Sequence, residues 1–283
     1  MKRELTTILS IAGSDCTGGA GIQADIRAAA ANGVYTMTAV TAVTAQNSHG
    51  VSAVYPVPPS ILEAQLNDIL EDVRPGAIKI GMLGSCENGE TIARVLKNYR
   101  GIPIVIDPVM SSSAGGDLNS STGQILELYL SKLFPIATVV TPNLIESELF
   151  LKQTTAKRGT DSIEEIAGSL LRLFRSEAVV LKGGHSSGDI LTDTLAYRSE
   201  SGIVRFKTFC SRRISCKNLH GTGCVYSSLL ASELAKGREL SRAFTNASAM
   251  IKEFISDSTG YDFGSSDYGP LNTNDYSTKH IEI

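Results

Sequence analysis

The chain has 283 residues, 42% of them hydrophobic and 19% charged, with a formal net charge of −3. That length permits one large domain or two small ones, with a core that needs no disulfide or structural metal. The slight acidity argues against a broad nucleic-acid face, no apolar run reaches the ~18 residues of a membrane span, and a charged share below the usual ~25% excludes a self-repelling disordered chain.

Taken in order, residues 6–13 read as a buried first strand. Lys2 and Arg3 precede it, but polar residues interrupt the short apolar run and no small-residue cleavage pattern follows, so a signal peptide is the poorer reading. The alanine-rich segment that ends at Gly33 predicts a helix with a glycine stop. Residues 36–45, rich in β-branched side chains, predict a strand. Ser60 and Glu63 have capping-box spacing and predict a helix start. Residues 77–83 read as a strand followed by a helix to about Tyr99, and 102–109 and 137–143 as strands ending in polar residues and proline. Ser162 and Glu165 repeat the capping-box spacing. Residues 178–184 form another strand, 193–199 and 203–209 suggest a hairpin, and helices over 221–235 and 240–256 close the series.

Strands alternating with helices predict an α/β fold, mainly a parallel sheet with helices on both faces. No linker or repeat divides residues 1–257, which are read as one domain; residues 258–283, rich in Gly, Ser, Asp, Asn and Tyr, are read as an irregular tail without an assigned role. The five cysteines, Cys16, Cys86, Cys210, Cys216 and Cys224, are odd in number and include no CxxC pair. They fit reduced thiols in a cytoplasm better than a disulfide framework, and the spacing of Cys210, Cys216, His220 and Cys224 does not fit zinc.

Ligands of open α/β sheets bind beyond the carboxyl ends of the strands, so the segments just after each strand carry the functional reading. In residues 13–25, GSDCTGGAGIQAD, the glycines at 18, 19 and 21 permit close backbone approach ahead of a helix whose free amides suit an anion or polar ring. This turn has neither the P-loop Lys-Ser/Thr nor GxGxxG, which disfavours a Rossmann dehydrogenase; a plain tight turn is the alternative. In HGTGC, Gly221, Thr222, Gly223 and Cys224 present successive amides as an anion nest. Cys224 at a helix N-terminus tends toward thiolate, although a small buried thiol is the commoner fate of free cysteine. Asn143 and Glu146 of TPNLIE either hold a hydrated Mg²⁺ or serve as N-cap and first-turn acid of a helix. Lys182 of KGGH sets a cation at the sheet edge, and Asp107 of DPVM either binds metal-linked water or satisfies nearby amides. Together the segments point to phosphoryl transfer from a nucleotide with Mg²⁺.

GSDCTGGAGIQAD, TAVTAQNSHGV, KIGML, DPVM, TPNLIE, KGGH and HGTGC, in this order and spacing, resemble the hydroxymethylpyrimidine/phosphomethylpyrimidine kinases of thiamine biosynthesis, within the ribokinase-like superfamily, over roughly residues 5–255. The resemblance implies a ribokinase-like fold with a small β lid, a homodimer, and ATP with Mg²⁺. It implies phosphorylation of 4-amino-5-hydroxymethyl-2-methylpyrimidine and then of its monophosphate. It places Gly13 and Asp25 along the pyrimidine site and Met82 and Val109 as its apolar walls. Gln46 would pair with the ring nitrogen and amino group, and a primary amide has the matching donor and acceptor sides. Asn143 and Glu146 would position Mg-ATP, Lys182 would contact phosphate, and the amides of 221–224 would form the anion hole. Cys224, where the wider superfamily has a catalytic Asp, would act as general base or orient the substrate hydroxyl, with its thiol pKa lowered by the helix N-terminus. The loop at 111–119 is longer than the family's. Relatives that phosphorylate pyridoxal or pyridoxine share these motifs, and a non-catalytic ligand-binding protein is the alternative from another class.

Overall fold

A computed structural model describes residues 5–110, 121–152, 162–185, 188–264 and 268–274 of the chain. The 111–119 loop lies outside the described residues. The strands are β1 (Thr7–Asp15), β2 (Tyr35–Asn47), β3 (Gly50–Pro56), β4 (Ala77–Ile80), β5 (Ile104–Ile106), β6 (Val139–Val140), β7 (Ala178–Leu181), β8 (Ile190–Arg198) and β9 (Val204–Arg212). They form one sheet in the order β3-β2-β1-β4-β5-β6-β7-β8-β9. The strands from β2 through β7 along this order pair in parallel, while β3, β8 and β9 are antiparallel. The helices are α1 (Gly21–Ala31), α2 (Pro59–Asp72), α3 (Cys86–Leu96), α4 (Ser121–Leu128), α5 (Leu144–Leu151), α6 (Ile163–Phe174), α7 (Thr222–Ala235) and α8 (Leu240–Asp257).

The central strands are apolar on both faces because both faces are covered. Leu9 and Ile11 of β1 join a buried cluster with Leu62 of α2, Ile92 of α3 and Leu170 of α6. Ile8, one residue over and therefore on the opposite face, joins Ala24 of α1, Leu229 of α7 and Phe244 of α8. Burial of a side chain such as Ile8 or Leu9 stabilises by about 1.5–3 kcal/mol. The α/β, mainly parallel architecture predicted from alternation is the one observed.

Local signals fared unevenly. The Ser162–Glu165 capping box forms with both reciprocal bonds. The Ser60–Glu63 box does not: α2 starts earlier, at Pro59, without a side-chain cap. Proline at the first helical position presets the backbone there, and Glu63 instead meets Arg94 of α3. Strand β3 was not foreseen; it folds back on β2 with a register shift between Ala45 and Gln46. The described part of the tail packs against the domain. Asn218 Nδ2 donates to the carbonyls of Ser258 and Tyr261, and Leu271 and Thr273 are buried. Among the described residues no helix is long and apolar enough to cross a membrane.

Candidate active site

The strand order reverses at β1, which lies between β2 and β4. That reversal is where an open α/β sheet leaves a crevice at its carboxyl edge. Gly13, near the end of β1, and Met82, just past β4, meet across it: a β-carbon built on Gly13 would lie 3.0 Å from Met82 Sδ. Along the same edge follow Asp107 after β5, Asn143 after β6 and Lys182 after β7. Lys182 Nζ donates to Asp107 Oδ1 at 2.7 Å, and Thr141 Oγ1 donates to the same oxygen at 3.1 Å. Burial works against the Lys182 charge, but Asp107 and Glu146 outweigh it and raise the pKa. Burial likewise opposes the Asp107 carboxylate, and Lys182 and Lys79 hold its pKa below the ordinary value.

The opening of α7 reaches this pair. Gly221 caps the helix in the left-handed region, at φ 81°, and a β-carbon there would sit 2.0 Å from the carbonyl oxygen of Gly19. A β-carbon on Gly223 would lie 3.3 Å from Asp107 Oδ2 and 3.4 Å from Lys182 Nζ. The two glycine turns therefore touch each other, and the 221–224 turn touches the Lys–Asp pair. Thr222 is turned inward locally, its hydroxyl donating to the Leu219 carbonyl at 2.6 Å. The Thr222 amide, predicted as part of the anion nest, is instead used within the turn, donating to the Leu219 carbonyl at 3.2 Å; the rest of the helix N-terminus, beside a fixed ammonium, is suited to binding an anion.

Cys224 does not have the lowered pKa expected of a cysteine in that position. Burial pushes the thiol up to about 11, reinforced by Asp25 and Asp107, and the opposing pull of Lys79 and the Gly21 amide does not compensate.

Asn143 and Glu146 form a capping box for α5, each side chain bonding the other's backbone amide. The capping alternative thus holds. It leaves Glu146 Oε1 without a hydrogen bond among the described residues. Burial raises the Glu146 pKa to about 7, with Asp107 adding to the rise and Lys182 and the Asn143 amide opposing it.

Asp25 is not at an open surface. It is fully buried, and Lys79 Nζ of β4 donates to both its oxygens at 2.8 Å. Ser10 Oγ of β1 adds a bond at 2.5 Å and Ser228 Oγ of α7 another at 2.8 Å. Asp25 thus binds α1, β1, β4 and α7 together beneath the crevice. Lys79 was missed by sequence reasoning. Its signal was a lysine inside the apolar run AIKI of a central strand, a place that tolerates charge only when it is paired.

The β2 side of the crevice is more exposed. Gln46 is half-buried beside the β2 bulge. Its backbone is held by Cys16, whose thiol donates to the Gln46 carbonyl at 3.2 Å. Val109, half-buried, follows Asp107. A separate open cavity of about 1290 Å³ lies at the amino ends of β5 and β6, lined by Arg94, Arg100, Ile104, Lys132 and Thr138. It is away from the edge where the motifs converge.

The sheet order and the chemistry of its carboxyl edge define a ribokinase-like protein. The family profile described as phosphomethylpyrimidine kinase matches residues 15–272. A curated hydroxymethylpyrimidine/phosphomethylpyrimidine kinase from Staphylococcus aureus (strain MRSA252) is 40% identical over 258 residues, covering 89% of this chain and 87% of the relative. The chain belongs to the phosphomethylpyrimidine kinase family. The profile runs past Asp257, so the likeness extends into the segment that the motifs alone left out. Among solved structures, the Staphylococcus aureus pyridoxal kinase in complex with AMP-PCP and pyridoxal aligns with a TM-score of 0.82 at 29% identity, over 99% of this chain and 97% of that one. The phosphomethylpyrimidine kinase from Clostridium difficile 630 aligns with a TM-score of 0.72 at 34% identity, over 88% of this chain and 99% of that one.

Proposed function

We propose that this chain is a cytoplasmic, ATP-dependent kinase of thiamine biosynthesis that phosphorylates the hydroxymethyl group of 4-amino-5-hydroxymethyl-2-methylpyrimidine and then the resulting monophosphate. The observation that carries this reading is the contact of Gly223 with both Lys182 and Asp107. It sets an amide nest and a fixed cation around one point, where the charge of a transferring phosphoryl group is stabilised.

In this reading Gln46 hydrogen-bonds the aminopyrimidine edge, and Gly13, Met82 and Val109 bound the ring. The amides of Gly221, Gly223 and Cys224 and the Lys182 ammonium hold the phosphoryl oxygens. Cys224, as a neutral thiol, orients the substrate hydroxyl rather than removing its proton. Asp25 acts from below by fixing α1 and α7.

The donor set suits Mg²⁺. No group of three or more His, Cys, Asp or Glu side chains is placed to hold a metal among the described residues, but Mg²⁺ keeps several waters and needs only one or two carboxylates plus phosphates. Glu146, with one oxygen left over and a carboxylate that its surroundings disfavour, and Asp107 would hold it, largely through water. When bound, the ion supplies neutralisation of the charge on the nucleotide phosphates.

We further infer a homodimer that covers the β2–β3 edge, where the paired residues Val43 and Tyr55 are 53% and 69% exposed. Residues 258–264 and 268–274 are read as part of the same domain.

A second reading has a specific observation behind it: the higher TM-score and fuller coverage with pyridoxal kinase. Mass spectrometry of products made from the pyrimidine alcohol and ATP tests the first reading, which expects a monophosphate followed by a diphosphate. Steady-state kinetics with pyridoxal runs beside it. A kcat/KM that clearly favours pyridoxal would sink the first reading in favour of the second.

A further inference from the structure

The segment after α8 and the residue ahead of the amide nest meet in a way that the site as described does not use. His220 Nε2 lies 3.3 Å from Asp15 Oδ2, and the imidazole is only 24% exposed. The Asp15 carboxylate organises the first glycine turn. Its Oδ1 accepts from the Thr17 amide and hydroxyl, and its Oδ2 from the Ala20 amide, each at 2.8 Å. The His220 ring also lies over Gly19, where a β-carbon would come within 2.6 Å of Cδ2 and 3.1 Å of Pro270 Cβ. From outside, the C-terminal segment closes on the same residue. The His220 amide donates to the Gly269 carbonyl at 2.9 Å, the Leu271 amide donates to the His220 carbonyl at 3.4 Å, and the Tyr268 ring stands 5.7 Å from the imidazole. Gly221, the next residue, caps α7.

We propose that His220, backed by residues 268–271, is a positioning residue that locks the glycine turn opening α1 to the amide nest opening α7. Both turns are glycine-rich, and the Asp15 carboxylate that shapes the first is the group His220 meets. Without a cross-link each would sample several geometries, and a displacement of an ångström at a phosphoryl-stabilising nest costs up to about a hundredfold in rate. His220 supplies the link through Asp15 on one side and Gly221 on the other. The C-terminal segment keeps the imidazole from swinging out. The expected kinetic effect rests on the kinase reading above; the structural link does not.

The test uses the full chain with His220→Ala, His220→Gln, Tyr268→Ala and the double variant His220→Ala/Tyr268→Ala. In His220→Ala, kcat should fall roughly tenfold or more while KM for the pyrimidine alcohol stays within about twofold, because the ring contacts are elsewhere. The Gln amide reaches the position of Nε2 as a donor, so His220→Gln should recover most of kcat. The double variant should be little worse than His220→Ala, since the two residues act as one unit. Hydrogen exchange supplies a readout independent of turnover. Peptides covering 13–21 and 219–226 should exchange faster together in His220→Ala and in Tyr268→Ala, with α8 unchanged. Unaltered exchange in the two turns, independent multiplicative effects, or no rescue by Gln would overturn the proposal. Absence of turnover by the unmodified chain would defeat the kinase reading instead, and the exchange data would still decide the clamp.

Discussion

The half of the site proposed to hold phosphate and the half proposed to hold the ring are built on different principles. Where phosphate would bind, the surface is mostly backbone, fixed from beneath by buried charge: Asp25 with Lys79, Ser10 and Ser228 joins four elements, and Lys182 and Asp107 lie beside Gly223. Where the ring would bind, the polar contact is proposed to come from one side chain, Gln46, on an edge hairpin. Gln46 is half-buried, its neighbours Ala45 and Asn47 are exposed, and a bulge sets its direction. A surface of amides and paired ions reorganises little when charge develops, which is what electrostatic stabilisation requires. A hairpin of half-exposed side chains can be altered residue by residue without disturbing the sheet.

The sharpest way to break the comparison is to remove the foundation of the rigid half. Lys79→Met leaves the fully buried Asp25 carboxylate without its cation and should cost about 3–5 kcal/mol of stability, read by urea unfolding. Replacing both partners, Lys79→Met with Asp25→Leu, should recover much of that loss. A single variant as stable as the unmodified chain would mean that the pair is not what fixes α1 to β4. Next in size is Cys224. Cys224→Ala should lose most turnover while ATP still binds, a loss of about a hundredfold, the lower end for a group in direct contact with the reacting proton. Cys224→Ser should keep most turnover, because a hydroxyl orients a substrate hydroxyl as a thiol does. A kcat profile that rises with thiol ionisation between pH 7 and 9, and vanishes in the Ser variant, would restore the general-base reading.

On the ring side the effect should appear in KM. Gln46→Ala removes a paired donor and acceptor worth about 1–3 kcal/mol, so KM for the pyrimidine alcohol should rise by roughly tenfold with kcat nearly unchanged. An equal loss in kcat, measured in the same steady-state assay, would show that the two halves are coupled and that the division drawn above is too simple.

What could be read from the sequence follows the same division. The strand ends at Asp107, Asn143 and Lys182 were legible because apolar runs stop there and an open parallel sheet sends every such end to one edge. The Ser162 cap was legible because its partner is three residues away. The Ser60 cap was misread because Pro59 decides the start of α2, and β3 was missed because GVSAVYP is half-exposed and ends in proline. The Lys79–Asp25 and His220–Asp15 pairs join residues far apart in the chain, so no local pattern announces either. The charges around Cys224 were illegible for the same reason: they come from α1, β4 and the end of β5.

The smallest expected effect concerns the turn between the two halves. Burial disfavours the Asp15 carboxylate, but bonds from His220, Thr17 and Ala20 outweigh that and hold its pKa at about 2, against an ordinary 3.8. An acid whose folded pKa is depressed stabilises the fold above its unfolded value, and that contribution disappears as pH falls through the folded one. The contribution of Asp15 is therefore complete above about pH 4 and declines toward pH 2. Asp15→Asn lacks the titration but leaves every other acid in place, so the stability difference between the two proteins isolates this group. Denaturant unfolding at pH 5, 4, 3 and 2.5 should show that difference shrinking with acid. A constant difference would mean that Asp15 titrates alike in folded and unfolded chains, and that its bonds to the glycine turn and to His220 do not depend on its charge.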